Sequence, residues 1–450
     1  MRHTLHRQRG AVAIMVALAL LVLLSLVGLV VDGGMAYMVK ARLNAAVDSA
    51  ALAAARAVTA GNNQAEQRAS AQAAAARFFA ANIADGYLLS KPKLTATDVT
   101  FSGGTVTIDV RAEAPMPVSV MQVMGFTALS PGASAQTIRR DLDMAFVVDT
   151  SGSLSPVQDD VRAAAKSFLN KFNVTQDRVA LIHFAYGADV DNAINTSARG
   201  FNRKSMLANI DGYPFTGSTA SVEGVWQARN QLNAIAQDNR SVLRVIVFFS
   251  DGVPNALGGK LTFDNPGDCT QAGVFDSSGN GLFALTDSPG SLISEKCRLE
   301  DLSLRQEYRG IWNSVQKLPA TYNAHPKEPN LEELPIVTTW PRAVTNDVSN
   351  STIAARNIGR AARNLPEAMA ARARSEGIFV FTLGMGPDLT KTYDGEKGED
   401  VLKCMANVAN GPSRCFNPAQ PVGMYCYAAT EADLTPCFSR LASAILRIAK

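Results

Sequence analysis

The longest apolar stretch of the sequence runs from Ala11 to Val31, 21 residues without a charge. About 20 apolar residues, at a rise near 1.5 Å each, cover a hydrocarbon core roughly 30 Å thick, so the run predicts a membrane-spanning helix. Arg2, Arg7 and Arg9 precede it, whereas Asp32, Lys40, Arg42 and Asp48 follow at wider spacing and with mixed sign. That bias keeps residues 1–10 in the cytoplasm and places the rest of the chain outside. A cleaved secretory signal fits less well: its apolar region is about 7–15 residues long, and Asp32-Gly33-Gly34-Met35 is a poor cleavage site. From Met35 to about Ala60 the chain is rich in alanine and free of proline. It predicts a helical stalk over residues 32–60 that continues the span, with a bend at Gly33-Gly34.

A second alanine-rich helix is expected over Asn63–Ile83. Alternating β-formers at Thr95–Thr100 and Thr105–Ala112 flank Ser102-Gly103-Gly104 and predict a hairpin, with a further strand around Phe126–Thr137. Residues 61–140 therefore read as a small α+β region in which no chemistry is evident.

Beyond residue 141 the texture changes. Apolar runs at Asp143–Asp149, Arg178–Tyr186, Val242–Ser250 and Gly377–Gly386 have the continuous character of strands buried on both faces. Helical stretches at Val157–Phe172, Arg203–Ile210, Ser221–Ala236 and Pro366–Glu376 lie between or beside them, the first opened by Ser155 as cap and Pro156. Glu399–Ala409 follows as a helix and Met424–Ala429 as the last strand. Leu434, Phe438, Leu441, Ile445 and Ile448 then form one apolar helical stripe, which core packing suffices to explain. Alternating strands and helices predict an α/β fold, a parallel-type, Rossmann-like sheet flanked by helices, over residues 141–450. A long insertion rich in Gly, Pro, Asn and Asp, about 253–362, interrupts it directly after Asp251. It is expected to form either a lid and partner surface or an excursion away from the site.

Charge changes this picture little. The net charge is +3 with both signs mixed, so no charged tail points to nucleic acid. The six cysteines, Cys269, Cys297, Cys404, Cys415, Cys426 and Cys437, include no CxxC pair. That argues against zinc, and an even number beyond a membrane span reads as disulfides in an oxidising compartment. Six cysteines allow 15 connectivities. Sequence proximity favours Cys269–Cys297 as one pair.

Two resemblances organise these observations. RQRGAVAIMVALALL with DGGMAYMVKARLNAAVDSAALAAARA, over about residues 8–60, resembles the N-terminal segment of TadE/TadG-type proteins of the Flp (Tad) pilus assembly system. A prepilin-type leader is a weaker match, since its pattern asks for glutamate where Met15 stands. Asp149-Thr150-Ser151-Gly152-Ser153 matches the D-x-S-x-S motif of the von Willebrand factor type A metal-ion-dependent adhesion site. Thr219, ahead of a helix, matches the family threonine, with Thr216 a second candidate. Asp251, in Phe248-Phe249-Ser250-Asp251-Gly252, matches the second aspartate. The resemblance implies a metal site of Asp149, Ser151, Ser153, Thr219 and Asp251. It also implies a protein ligand that supplies an acidic side chain to the ion, here a component of the pilus system.

Two carboxylates and three hydroxyls are hard donors that suit Mg²⁺, with Mn²⁺ or Ca²⁺ as alternatives. Evidence for catalysis is thin: no GxSxG, HExxH, Walker A or GxGxxG stretch stands in a suitable context, and His183, within an apolar strand, reads as a core histidine. The expected function is that of a non-enzymatic, metal-dependent protein-binding factor of TadG-like type. It would be anchored by one span in the bacterial inner membrane, its C-terminal domain periplasmic or extracellular. The alternatives are a membrane-anchored surface adhesin and a metal-dependent hydrolase.

Overall fold

The protein, as a computed structural model, is described over residues 9–58, 64–102, 105–263, 272–279, 282–287 and 315–448. Cys269, Cys297 and the expected bond between them lie outside these residues. The chain divides between Arg140 and Asp141 into two compact units.

The first unit is built on α1, Arg9–Ala57, which runs unbroken through Gly33-Gly34 where a bend was expected. Its first part is long and apolar enough to cross a bilayer, and its side chains from Val12 to Val31 are largely exposed. Its second part is helical as expected and packs within the unit. Val39, Leu43, Val47, Ala50, Ala54 and Val58 recur at helical spacing and are buried. They share one core with Phe79 of α2 (Gln64–Asn82) and with Val99, Val106 and Ile108 of the adjoining sheet. Alanine on this face lets helix and sheet approach closely, and so the stretch that propensity alone marks as a helix is drawn into the small α+β unit. The sheet is antiparallel in the order β1 (Lys93–Ser102), β2 (Thr105–Glu113), β3 (Gly132–Arg140). Ser102 faces Thr105, as a hairpin there requires. The third strand begins at Gly132 rather than Phe126. Ahead of it Ala128–Leu129 pairs antiparallel with Met116–Pro117, and Met121–Met124 between these two segments forms a turn of 3₁₀-helix.

The second unit is a six-stranded sheet in the order β9-β8-β7-β4-β5-β6, comprising β4 (Leu142–Asp149), β5 (Arg178–Phe184), β6 (Ala188–Asn192), β7 (Leu243–Ser250), β8 (Phe379–Met385) and β9 (Met424–Ala428). All neighbours run parallel except β5 and β6. The sheet is thus mixed, with an antiparallel edge where a parallel-type sheet was expected. β4, β5 and β7 are buried along their whole length. Ala145 and Val147 of β4 point into a core shared with α5 (Ser221–Asn233), α6 (Ser351–Ser375) and α7 (Gly398–Ala406). Met144, Phe146 and Val148 point into the opposite core, with α3 (Gln158–Leu169), α4 (Arg203–Asp211) and α8 (Leu434–Ile448). There Phe146 lies 4.8 Å from Phe168 and 5.7 Å from Phe438, ring to ring.

Two helix starts differ from expectation. α3 begins at Gln158, after a 3₁₀ turn over Gly152–Val157 that contains Pro156. α6 begins at Ser351, capped by Asn350, whose side chain accepts the Ile353 N–H at 2.9 Å. It continues through Pro366, the start that the sequence predicts. Two disulfides are present among the described residues, Cys404–Cys415 and Cys426–Cys437. The second joins β9 to α8.

Candidate metal centre

From β4 the chain crosses to β5 on one side and returns to β7 on the other, so β4 and β7 adjoin where the winding reverses. Ligand crevices in such sheets form beyond the carboxyl ends of the strands at this point. Asp149 closes β4 and Ser250 closes β7, and the register Val148↔Phe249 sets them side by side.

Asp149 is fully buried. Its Oδ1 accepts the Ser151 N–H at 2.8 Å and its Oδ2 accepts the Ser250 hydroxyl at 2.5 Å. The Ser151 and Ser153 hydroxyl oxygens stand 3.3 Å apart, and Ser153 donates to Asp251 Oδ1 at 2.9 Å. The turn that carries these serines is stitched in place: Thr150 N donates to the Phe184 carbonyl at 2.9 Å, and Gly152 N to that of Gly217 at 3.1 Å. Thr219 comes to the same place from the loop ahead of α5. A Cβ added to Gly252 would lie 3.3 Å from Thr219 Oγ1, so glycine after Asp251 lets the threonine hydroxyl approach. Thr219 is buried while Thr216 is exposed, which favours the first candidate. Asn255 fixes the Thr219 backbone at both groups: its Oδ1 accepts the Thr219 N–H at 2.8 Å and its own N–H donates to the Thr219 carbonyl at 3.2 Å. All five residues singled out in the sequence therefore meet at one end of the sheet.

Electrostatics give this group its character. Burial pushes the Asp149 carboxyl above the usual carboxylate range, against the hydrogen bonds from Ser151 and Ser250. Burial raises Asp251 as well, and the neighbouring Asp149 charge raises it further. Among the described residues, no Lys or Arg figures in the groups that shift either one. Two like charges side by side, one buried and one half-buried, are costly, and a cation between them would offset the cost. The donor set of carboxylates and hydroxyls fits a hard divalent ion.

Ser250 and Asn255 have no role in the sequence reading. Ser250 was within reach, a hydroxyl ending a buried strand beside an aspartate. Asn255 gives no signal of its own beyond its place in a turn. His183 has structural partners: Nδ1 lies 2.9 Å from Asp191 Oδ1, and Tyr213 donates to the same carboxylate at 2.8 Å. Glu367 lies near Cys404 and Cys415, but those sulfurs are bonded to each other and are not metal donors.

The described start of the insertion packs against the loops around the site rather than away from them. Ser218 donates to Asp276 Oδ2 at 2.8 Å. Tyr186 stacks on Phe283 with ring centroids 3.8 Å apart, and Asp287 Oδ1 accepts the Gly187 N–H at 3.1 Å.

Comparison with known proteins gives two family matches. The Flp pilus-assembly TadE/G-like family matches residues 10–57, and the von Willebrand factor type A domain matches residues 143–272. No curated protein sequence matches the chain. Among solved structures, the pilus adhesin SpaC from Lactobacillus rhamnosus GG aligns at 13% identity and a TM-score of 0.39, over 79% of this chain and 35% of that one. This chain thus spans about a third of SpaC's length. The vWF domain of the type V pili tip protein Mfa5 from Porphyromonas gingivalis aligns at 16% identity and a TM-score of 0.37, over 70% of this chain and 98% of that one. Proximal thread matrix protein 1 from the mussel byssus, with a zinc-occupied MIDAS motif, aligns at 13% identity and a TM-score of 0.33, over 69% and 46% of the two chains.

Proposed function

We propose, for a chain that carries a TadE/G-like segment ahead of a von Willebrand factor type A domain, that it is a membrane-anchored accessory protein of a Flp/Tad-type pilus system whose head binds a protein ligand through a divalent ion. The single observation behind this reading is the convergence of Asp149, Ser151, Ser153, Thr219 and Asp251 at one end of the sheet, with Asp149 buried, Asp251 half-buried beside it and, among the described residues, no Lys or Arg among the groups that shift either carboxyl. Ser151, Ser153 and Thr219 would hold the ion through their hydroxyls, and Asp149 and Asp251 would balance its charge. Magnesium is the expected ion, with manganese and calcium as alternatives. When bound, it supplies a Lewis-acidic position for a carboxylate from the partner. The protein's own part is to hold the donors in place through Asn255, Ser250 and the stitched turn, and to keep bulk water from Asp149.

Binding rather than turnover is the reading because the five converging groups are the donors that the ion itself would take up, which leaves none of them to serve as a general base. The anchor is the apolar part of α1, with the arginine-bearing N-terminus in the cytoplasm and the head in the periplasm.

The test is partner capture by the full-length chain from solubilised membranes, comparing wild type with Asp149→Ala and with Thr219→Ala. The expected outcome is folded variants that lose metal and partner together, and wild type that releases its partner in chelator. Equal recovery of the partner by all three proteins, with and without chelator, would refute a metal-gated role.

A further inference from the structure

The first unit carries an apolar turn that the proposed function does not use. From Ala114 to Ile138 the sequence holds no charged residue. Within this stretch the turn around Met121–Met124 projects Val123, Met124 and Phe126, which are 51%, 38% and 49% exposed. Three neighbouring large apolar side chains in water would be a liability on a soluble surface. Their place in the unit gives the reason for them.

The turn is clasped to α1 at the outer end of the 21-residue apolar run. Asp32, the first residue after that run, is buried, and its carboxylate accepts three backbone N–H groups of the turn: Ser119 at 3.1 Å, Val120 at 2.9 Å and Met121 at 2.7 Å. One helical turn earlier, inside the run, a Cβ added to Gly28 would come within 3.1 Å of Met121 N. Glycine there lets the turn lie directly against the helix. The contact therefore falls at the level of the last helical turn before the charge, where a spanning helix leaves the hydrocarbon. Further backbone donors of the turn bond within it: Val123 donates to the Val120 carbonyl at 3.2 Å, Gly125 to that of Gln122 at 2.9 Å and Phe126 to that of Met121 at 3.4 Å. A segment with satisfied N–H groups and no charge can enter the interface without the penalty that excludes ordinary loops.

We infer that the Val120–Phe126 turn is a second membrane contact, inserting Val123, Met124 and Phe126 into the leaflet through which the outer end of α1 passes. Continuity with the apolar span identifies lipid as the occupant. At the level of this contact Val27, Val30 and Val31 of α1 are exposed as well. Interfacial insertion of this kind fixes the depth and rotation of a helix that would otherwise swivel. The inference rests on α1 spanning the membrane, and its test separates the two.

Full-length chain is reconstituted into vesicles of phosphatidylethanolamine and phosphatidylglycerol, with and without acyl-chain-brominated lipid. Emission of Phe126→Trp and of Leu23→Trp is measured after subtracting the wild-type signal. The expected result is blue-shifted emission that loses most of its intensity to bromolipid for both variants, with Phe126→Trp quenched best by bromine near the headgroups. Quenching of Leu23→Trp alone, with Phe126→Trp red-shifted and open to aqueous iodide, would overturn the inference and leave the anchor intact. Blue-shifted Phe126→Trp emission untouched by bromolipid would mean that protein, such as a second copy, covers the turn, and would equally overturn it. No quenching of either variant would remove the anchor and the inference with it.

Discussion

Asp149 and Asp251 carry the tension of the site. Both are acids whose ionised forms the fold disfavours, Asp149 through burial and Asp251 through burial and then the charge of Asp149. A carboxyl raised in the folded state holds its proton over a range where the unfolded chain, with Asp near 3.9, has lost it. In that window the folded state binds more protons, so stability falls as pH rises from about 4 toward and through the raised values. Melting of the metal-free chain in detergent should accordingly occur at lower temperature near pH 8 than near pH 5. Saturating Mg²⁺ should narrow the difference, and Asp251→Asn should show less of it. A metal-free melting temperature as sensitive to pH in Asp251→Asn as in wild type would contradict this. Asn255 offers a subtler test, because it is not one of the five proposed donors and its side chain accepts the Thr219 backbone N–H. Loss of such a supporting partner commonly weakens metal binding about 10- to 100-fold. Asn255→Ala should show that loss by calorimetric titration with Mn²⁺ while it melts near wild type; unchanged affinity would mean that Thr219 is held by other contacts.

Among the elements, those that position the site were the most legible. β4, β5 and β7 are buried on both faces, so they are written as unbroken apolar runs, and each run stops where the polar turn begins. β6 was not legible. Ala188–Asn192 is a partly exposed edge strand of mainly polar residues, and only its pairing with β5 makes it a strand. The α6 start was missed because Pro366 reads as a helix opener, whereas the Asn350 cap holds the true start fifteen residues earlier than that proline and tertiary packing carries the helix through it. The helix beyond the span was legible and its packing was not: alanine announces a helix but is silent about what that helix packs against. The disulfide between β9 and α8 was legible only as cysteine parity. Closing short loops in the unfolded chain is commonly worth roughly 2–4 kcal/mol. Replacing Cys426 and Cys437 by serine together should lower stability by about that amount in denaturant unfolding of the full chain. No change in the transition of the second unit would argue that this bond does not tether α8.

At the level of the whole molecule, the sequence shows an arginine-rich tip and an apolar span, and the structure divides the chain into two compact units between Arg140 and Asp141. If the head is periplasmic, protease added to intact cells should leave it whole, and protease added after the outer membrane is opened should remove it. Digestion in intact cells would favour a surface adhesin instead. The proposed function depends above all on an ion bound where the two carboxylates meet. Anomalous diffraction from crystals of the chain grown in Mn²⁺, with Asp149→Ala crystals as control, tests this most directly. The expected result is a manganese peak in contact with the Ser151, Ser153 and Thr219 hydroxyls that vanishes in the variant. Saturating manganese with no peak between those hydroxyls, or a peak that persists unchanged in Asp149→Ala, would contradict it.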